Sequence, residues 1–361
     1  MMLMAPDIGG VGERLRQRLA DVEQRFAAEL HSDVEPVNTL VGYVERYRGK
    51  MLRPTLLLAA AEAAYGEEGF EQHGESFAVL ATVVEMAHMA TLVHDDVLDE
   101  AEVRRRGKTV NALRGNEAAV MLGDYLISHA YHLCSSLPRP SRAVSLGRVI
   151  AAATNTVCEG ELLQLAHRND WRLNRRTYFE IIRRKTASLC GLCCRLPALV
   201  MGDAERPGGD GAMAEALTAF GEKLGMAFQI VDDLLDLTGD PVTVGKSLGR
   251  DLAKGKLTLP MIELLERVDA GAAGGGLAIT GRQVREGLER QADLSLPGEV
   301  REREAAELAG LAAVSGAVEA ARGRAEGLIA DASTRVREAL PDTPGRALLL
   351  ELAGRVLTRK A

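Results

Sequence analysis

The chain has 361 residues, a formal net charge of −7 and a hydrophobic content of 47%. This length and apolar content suffice for a sizeable core in one to three domains. The mild acidity argues against nucleic acid as a partner, although local basic clusters can still attract an anionic substrate. Helix-forming residues dominate and two-residue alternation is rare, so the sequence predicts an all-α protein.

The five cysteines lie in apolar helical stretches, which predicts buried thiols in a reducing, cytoplasmic compartment. The pattern Cys190-x-x-Cys193-Cys194 lacks the second cysteine pair or nearby histidine that would complete a zinc or redox motif. The N-terminal apolar run is too short for a signal peptide. The most membrane-like stretch, residues 77–93, continues into aspartates, so it predicts a core helix and no membrane span.

The first predicted helices occupy residues 11–31, 38–48 and 54–65. The second and third are joined by Gly49-Lys50-Met-Leu-Arg53-Pro54. The glycine lets the backbone turn, and the proline is predicted at the first helical position. Lys50 and Arg53 are close enough in sequence to bind one anion together, although a solvated basic turn would show the same pattern.

A long apolar helix is predicted next, over about residues 74–104, and it carries a cluster of carboxylates at its end. At about 100° per residue, His88, Asp95 and Asp99 fall on one side of this helix. Like charges one turn apart are unfavourable unless a cation lies between them. Mg²⁺ suits carboxylate oxygens with open water positions. The pattern Asp95-Asp96-x-x-Asp99 therefore predicts a magnesium site, although a solvated helix end would look the same in isolation.

The acidic pattern occurs a second time, at Asp232-Asp233-x-x-Asp236 on a helix predicted over residues 212–237. Two such helix ends could face each other across one cavity. Basic residues near both motifs would add cations, and aspartates with metal, lysine and arginine describe a diphosphate site. These basic residues are Lys50, Arg53, Arg104, Arg105, Arg106, Lys246 and Lys256.

The other predicted helices cover residues 118–126, 144–165, 177–201 and, with breaks, 281–358. Lys185 and Thr186 lie in the middle of one of them, where a charged surface is the simplest interpretation. Residues 239–258 form a glycine-containing loop beside the second acidic motif, which makes the loop a candidate lid. Residues 270–276 form a glycine-rich surface linker. The part after residue 281 is predicted to support the bundle without catalytic residues.

Together these motifs resemble those of the trans-polyprenyl diphosphate synthases, and the long-chain, octaprenyl-type branch is the most similar. The matching residues are Gly49-Lys50-x-x-Arg53-Pro54, His88, Asp95-Asp96-x-x-Asp99 with Arg104-Arg105, Lys185-Thr186, Gln229 with Asp232-Asp233-x-x-Asp236, Lys246 and Lys256. The resemblance implies one polyprenyl synthetase domain over residues 1–361, with an N-terminal helix region over residues 1–35. It also implies a large helical bundle around a central cavity, and a homodimer.

The activity implied by the resemblance is a magnesium-dependent, head-to-tail condensation of isopentenyl diphosphate with an allylic diphosphate. The allylic carbon–oxygen bond breaks, the isopentenyl double bond attacks the cation, and a proton is lost to the departing diphosphate. The implied metal ligands are Asp95, Asp96, Asp99, Asp232, Asp233 and Asp236. The implied isopentenyl diphosphate ligands are Lys50, Arg53, His88 and Arg105. The implied allylic diphosphate ligands are Arg104, Lys185, Thr186, Gln229, Lys246 and Lys256.

Within that set, the resemblance implies that Thr186, Gln229 and the backbone carbonyl of Lys185 face the cation, so that they join Asp95, Asp99 and Asp232 as catalytic residues. One segment departs from the family. It has Arg104-Arg105-Arg106-Gly107-Lys108-Thr109 where the family usually has Arg-Arg-Gly-x-Pro-Thr. The resemblance therefore implies that this loop is positively charged, but it implies no particular conformation for it.

Four residues form a stripe that descends along the long apolar helix from the metal site: Val83, Ala87, Ala90 and Thr91. Their small size predicts a tunnel for a growing prenyl tail, where Phe or Tyr would form a floor. The ~20 residues of helix before Asp95 span ~30 Å, which is room for roughly six isoprene units of about 5 Å each. The sequence therefore predicts a long-chain all-trans product, although the same residues would also permit close helix packing.

Other functions fit parts of the pattern. A shorter-chain synthase, making farnesyl or geranylgeranyl diphosphate, would differ only in product length. A class I terpene cyclase would not need the second diphosphate site of Lys50, Arg53 and Arg105. A non-catalytic partner subunit of a heteromeric synthase would be expected to have lost aspartates. A ferritin-like bundle needs a second Glu-x-x-His besides the one that begins at Glu85.

Overall fold

A computed structural model describes residues 10–45, 49, 51–104, 107–137, 145–202, 211–239, 249–271, 280–293 and 295–359. The first helices are α1 (Val11–Glu29), α2 (Glu35–Glu45), α3 (Leu52–Gln72), α4 (Gly74–Leu98), α5 (Val110–Arg114), α6 (Asn116–Ser135) and α7 (Leu146–Ala166). The later helices are α8 (Arg175–Ile182), α9 (Ser188–Met201), α10 (Gly211–Thr238), α11 (Arg250–Ala253), α12 (Leu259–Asp269), α13 (Gly281–Ala292), α14 (Gly298–Val314), α15 (Ala317–Ala339) and α16 (Pro344–Leu357). The all-α prediction is confirmed.

The chain forms two compact units, each built from three separate stretches. Unit 1 comprises Met1–Asn155, Leu189–Gly221 and Ser333–Leu352. Unit 2 comprises Thr156–Ser188, Glu222–Ala332 and Ala353–Ala361. The two aspartate motifs are thus in different units, since α4 lies in unit 1 and the acidic end of α10 lies in unit 2. That residues 1–361 act as one domain stays a prediction.

Helix α4 is the central helix of unit 1, because α1, α3 and α6 all pack against it. Nearly every side chain from Phe77 to Ala90 is buried, as expected for an apolar helix with neighbours on all sides. It is the one helix of the described residues that is long and apolar enough to cross a membrane, and 78% of its most apolar window is buried. Burial of this kind is typical of a core helix.

The predicted end of α4 at residue 104 is wrong, since the helix ends at Leu98. Glu100 has a φ of 49°, in the left-handed region that cannot continue a right-handed helix. The chain then reverses in a short antiparallel hairpin, β1 (Val103–Arg104) and β2 (Gly107–Lys108). Where the sequence predicts a loop, the hairpin brings Arg104 back alongside the last turn of α4.

Other boundaries also differ from the predicted ones. Helix α3 begins two residues before Pro54, which therefore lies in the first turn but not at the first position. The same helix passes the predicted end at residue 65 through a kink at Gly66, whose φ is 64°. Helices α8 and α9 are joined by a π-helical turn, Arg183–Ala187. Of the predicted 270–276 linker, residues 272–276 lie outside the described part of the chain.

Four of the five cysteines are buried, but Cys158 on α7 is exposed, so the prediction of five buried thiols is wrong at that position. Burial raises the pKa of Cys134 to about 11 and raises the pKa values of Cys190 and Cys193 as well. These thiols stay protonated near neutral pH, so they lack the thiolate that redox chemistry or metal binding requires.

We expect Gly160→Ala to destabilise unit 2. A Cβ at Gly160 on α7 would lie 2.4 Å from the backbone nitrogen of Lys185, which cannot move aside as a flexible side chain could. Overpacking of this kind costs about 1–3 kcal/mol of unfolding free energy. Gly323→Ala on α15 is the control, because no atom lies within 4 Å of its added Cβ. Gly323→Ala should raise the free energy of unfolding by about 0.4–1 kcal/mol. Equal denaturant midpoints for both variants would contradict the packing argument.

Candidate active site

The first aspartate motif occupies the last turn of α4. Asp95 lies within the helix, and Asp99 follows its last residue and donates its backbone N–H to the Asp95 carbonyl at 2.8 Å. Both side chains are half-buried, and so is His88 two turns earlier. That these three residues share one side of the helix end stays a prediction.

Asp96 points the other way and is only 2% exposed. Both of its carboxylate oxygens accept hydrogen bonds from Arg104 Nε, at 2.9 and 3.0 Å, and Arg104 Nη2 lies 2.8 Å from Oδ1. Such a forked arginine–carboxylate contact is stronger and more directional than a single hydrogen bond. A metal ion at Asp96 would have to displace this guanidinium. Metal binding by Asp96 and diphosphate binding by Arg104 stay predictions.

Some predicted ligands lie outside the described residues: Lys50, Arg105 and Lys246. Arg53 is described, in the first turn of α3. Its Nε is buried and has no hydrogen-bond partner among the described atoms. A buried guanidinium nitrogen normally has an acceptor. The side chain is therefore well suited to an anionic ligand.

The second aspartate motif lies near the end of α10, and its first member is covered by the C-terminal segment. Arg359 Nη1 lies 2.9 Å from Asp232 Oδ1. The same guanidinium stacks 4.0 Å from the centre of the Phe228 ring, one helical turn before Asp232. The ion pair and the cation–π contact together fix Arg359 on α10. The Asp232 carboxylate nevertheless stays 37% exposed.

Asp233, in contrast, is buried at 4% exposure and belongs to a chain of hydrogen bonds. Tyr178 on α8 donates its hydroxyl to Asp233 Oδ2 at 2.6 Å. Gln229 donates from Nε2 to Asp233 Oδ1 at 2.9 Å, and accepts at Oε1 from the Thr186 hydroxyl at 3.0 Å. Burial and then the charge of Asp251 raise the pKa of Asp233. Its role as a metal ligand stays a prediction.

Asp236 lies one turn further on and contacts the start of α11. It accepts the backbone N–H of Asp251 at Oδ2, at 3.1 Å. Burial and then the charge of Asp251 raise the pKa of Asp236 to about 7. The charge of Asp251 thus disfavours the ionised forms of both Asp233 and Asp236. A cation bound here would relieve that repulsion.

Lys185 projects from the π-helical turn toward α7. Its Nζ donates to Gln164 Oε1 at 2.9 Å and forms an ion pair with Glu161. A π-helical turn widens the helix by one residue per turn, and such turns often occur at functional sites. In this chain the turn contains both Lys185 and Thr186.

Lys185, Thr186, Gln229 and Asp233 line one cavity of about 90 Å³ in unit 2. Lys185 and Lys256 supply positive charge, and Asp233 and Asp251 supply acidic groups. The remaining lining residues are Gln164, His167, Leu173, Tyr178, Ile181, Ile182, Thr186, Gln229, Leu257 and Thr258. The cavity therefore combines cations, hydroxyl and amide groups with an apolar wall, as a substrate with a diphosphate group and an apolar tail would require.

Sequence reasoning missed three residues of this region: Tyr178, Asp251 and Arg359. No motif signals them, since each acts through a contact with a residue distant in sequence. The second aspartate motif did indicate this region, because any hydrogen-bond donor or cation near its carboxylates affects their charge. The prediction that the C-terminal part only supports the bundle does not account for Arg359 on Asp232.

The proposed tunnel residues lie in unit 1. Val83, Ala87 and Ala90 are at most 3% exposed, and Thr91 donates its hydroxyl to the His88 carbonyl at 2.7 Å. Neighbouring side chains therefore fill the space beside this stripe, as close helix packing would require. A prenyl tail on this side of α4 would need those neighbours to move. The tunnel stays a prediction.

The carboxylates suit Mg²⁺ by their chemistry. Among the described residues, no three His, Cys, Asp or Glu side chains lie close enough together to hold a metal ion by themselves. Mg²⁺ seldom needs such a cage, because it is usually bound through one or two carboxylates, with water and substrate phosphates as its other ligands. Half-buried aspartates such as Asp95, Asp99 and Asp232 provide oxygen ligands of this kind.

Comparisons with known proteins agree with this chemistry. The polyprenyl synthetase family model matches residues 34–282. Octaprenyl diphosphate synthase of Escherichia coli (strain K12) is 33% identical over 343 residues, which cover 95% of this chain and 96% of that protein. A decaprenyl diphosphate synthase structure from Rhodobacter capsulatus has a TM-score of 0.80 and 30% identity, and the alignment covers 97% of this chain and 98% of that one.

A polyprenyl synthase from Caulobacter crescentus CB15, complexed with calcium and isoprenyl diphosphate, is similar over 99% of both chains. Its TM-score is 0.82 and its sequence identity is 30%. The fold of this chain is thus shared with solved polyprenyl synthase structures over nearly its whole length.

Proposed function

Because this chain belongs to the polyprenyl synthetase family, we propose that it condenses isopentenyl diphosphate head-to-tail with an allylic diphosphate. The observation that carries the proposal is the cavity of unit 2, in which Lys185 and Lys256 lie with Thr186 and Gln229 beside an apolar wall. Two cations suit a diphosphate, and the hydroxyl and amide suit an allylic cation.

In this proposal, Lys185 and Lys256 bind the allylic diphosphate and stabilise the negative charge that develops on it when the carbon–oxygen bond breaks. Lys185 is held in place by Gln164 and Glu161, so little reorganisation is needed when the charge forms. Arg104, Lys246 and Gln229 are the further residues that the family resemblance assigns to this substrate.

Asp95 and Asp99 at the end of α4 would offer ligands to Mg²⁺, and so would Asp232 and Asp236 near the end of α10. Bound Mg²⁺ would neutralise diphosphate charge. Asp96 and Asp233 are almost fully buried, at 2% and 4% exposure, and would instead hold Arg104 and Gln229 in place.

The Thr186 hydroxyl and the Gln229 amide would stabilise the allylic cation with the negative ends of their dipoles, together with the Lys185 carbonyl. The isopentenyl double bond attacks this cation, and the new carbon–carbon bond leaves a cation on the added unit. Loss of a proton to the departing diphosphate restores a double bond. Leu173, Ile181 and Ile182 would keep out water that could capture either cation.

For isopentenyl diphosphate we propose Lys50, Arg53, His88 and Arg105. The support among described residues is the Arg53 guanidinium, whose buried Nε has no protein acceptor among the described atoms. A second, separate anion site distinguishes a condensing enzyme from a terpene cyclase, which uses one diphosphate substrate.

The deciding experiment is product analysis of the purified protein with isopentenyl diphosphate, farnesyl diphosphate and Mg²⁺. We expect an all-trans product longer than geranylgeranyl diphosphate, because octaprenyl and decaprenyl synthases are among the similar proteins. A product that stops at geranylgeranyl diphosphate would support the shorter-chain alternative. Cyclised product without consumption of isopentenyl diphosphate would overturn the proposal.

We expect Mg²⁺ to bind more weakly below pH 7. Since the pKa of Asp236 is raised to about 7, its carboxyl carries a proton below this pH and must lose it to bind a metal. Affinity should fall about tenfold per pH unit below 7 and level off above it. Calorimetric titration with Mg²⁺ would measure this. In Asp251→Asn, the pH below which Mg²⁺ affinity falls should be lower than in the wild type. An unchanged pH dependence would contradict the effect of the Asp251 charge on the pKa of Asp236.

We also propose a homodimer and a cytoplasmic location. Helix α6 leaves Val120 and Met121 in solvent, 41% and 65% exposed, and a second copy could cover them. The buried free thiols suit a reducing compartment. Met121→Glu should shift the sedimentation coefficient toward that of a monomer. Val314→Glu, at a residue 58% exposed on α14, should not. Identical sedimentation of both variants would contradict an interface on α6.

A further inference from the structure

We propose that Tyr178 is a positioning residue which acts through Asp233 and Gln229 to fix the direction of the Thr186 hydroxyl in the cavity. The inference rests on the proposed prenyl transfer, and adds a residue that neither the motifs nor the family resemblance assigns. Tyr178 is 3% exposed and lines the cavity together with Asp233.

The polarity of the hydrogen-bond chain follows from Asp233. In the structure, the Gln229 side chain turns its NH₂ group toward Asp233 Oδ1, which accepts a hydrogen bond from it at 2.9 Å. The amide oxygen of Gln229 then points to Thr186 and can only accept as well, at 3.0 Å. The Thr186 hydroxyl therefore donates its one hydrogen bond to Gln229. Its oxygen lone pairs are left to face the rest of the cavity.

Tyr178 fixes the far end of this chain. Its hydroxyl lies 2.6 Å from Asp233 Oδ2, which leaves Oδ1 for Gln229. Without the phenol, the carboxylate could rotate and release the amide.

The direction of the Thr186 hydroxyl matters only when positive charge develops. Lone pairs that face an allylic cation stabilise it, whereas a proton turned toward the same cation would repel it. The diphosphate, by contrast, is bound by the lysines. Loss of Tyr178 should therefore lower kcat and leave substrate binding unchanged.

The test is Tyr178→Phe in the full chain, alone and combined with Thr186→Val, which keeps the shape of the side chain but removes its hydroxyl. We expect Tyr178→Phe to lower kcat about 10- to 100-fold, the range for partners that orient a functional group. Both KM values and the dissociation constant for Mn²⁺, measured by calorimetry, should stay within about twofold. Tyr65→Phe, in unit 1 and outside the cavity lining, removes the same atom and should leave kcat unchanged.

The double variant separates positioning from a general structural role. If Tyr178 acts through Thr186, Tyr178→Phe should cost little further kcat once the Thr186 hydroxyl is gone. Multiplicative losses in the double variant, or a change confined to KM or to Mn²⁺ affinity, would overturn the inference. A wild-type protein that fails to condense the two diphosphates would instead overturn the proposed function from which the inference starts.

Discussion

Asp232→Ala is expected to lower kcat by at least about 10²-fold, the scale for losing one group that stabilises developing charge in an active site. The Asp232 carboxylate is 37% exposed although it pairs with Arg359, and we expect a metal ion to bind at its exposed side. Its removal leaves diphosphate charge less compensated at the moment of ionisation. Steady-state turnover with saturating allylic and isopentenyl diphosphate measures the effect.

A matched control for this variant is Asp269→Ala. Asp269 is also an aspartate of unit 2 that pairs with an arginine, Arg285, at 2.6 Å on the surface of α12. Exposed pairs of this kind contribute little to stability, so kcat should change less than about twofold. Wild-type turnover in Asp232→Ala would refute the role of Asp232 as a metal ligand.

Lys185→Ala is expected to lower kcat/KM for the allylic substrate by about 10²-fold. Removing a charged partner from a desolvated contact commonly costs 2–5 kcal/mol, of the order of 30- to 5,000-fold. The change also leaves Glu161 as an unpaired negative charge beside the cavity, which would repel a diphosphate. Kinetics with each substrate varied in turn should show the loss chiefly on the allylic side.

Lys223→Ala provides the comparison, since Lys223 likewise forms an ion pair with a carboxylate of unit 2, Asp331, but does not line the cavity. Its kinetic constants should match those of the wild type. Lys185→Arg keeps the charge with a different shape, and partial recovery there would assign the effect to charge. Equal losses for isopentenyl and allylic diphosphate would contradict the assignment of Lys185.

The sequence predicts the helical class and the aspartate motifs well, because both depend on local spacing. Apolar periodicity identifies α4 and α10, and the acidic residues at their ends need no tertiary information. Boundaries are harder to predict. Two residues beyond the end of α4, Glu100 has a left-handed conformation, which a non-glycine residue adopts only when the surrounding structure requires it.

Which aspartate of each motif is buried and hydrogen-bonded is not predictable from spacing. Asp95 and Asp96 have the same chemistry, but only Asp96 turns inward, where the hairpin brings Arg104 to it. Likewise the partner of Asp233 is a tyrosine on another helix, 55 residues away in sequence. Which aspartate faces solvent is decided by helix rotation and neighbouring side chains, and a single sequence does not encode these in any local pattern.

The position of Arg359 has a practical consequence for how the protein is prepared. An affinity tag attached directly after Arg359 would adjoin the guanidinium that stacks on Phe228 and pairs with Asp232. A histidine-rich tag placed there would bring additional metal-binding groups close to the second aspartate motif and could pull the arginine away from it. Kinetic and metal-binding measurements should therefore use a tag on the other terminus, or a C-terminal tag that is cleaved off completely.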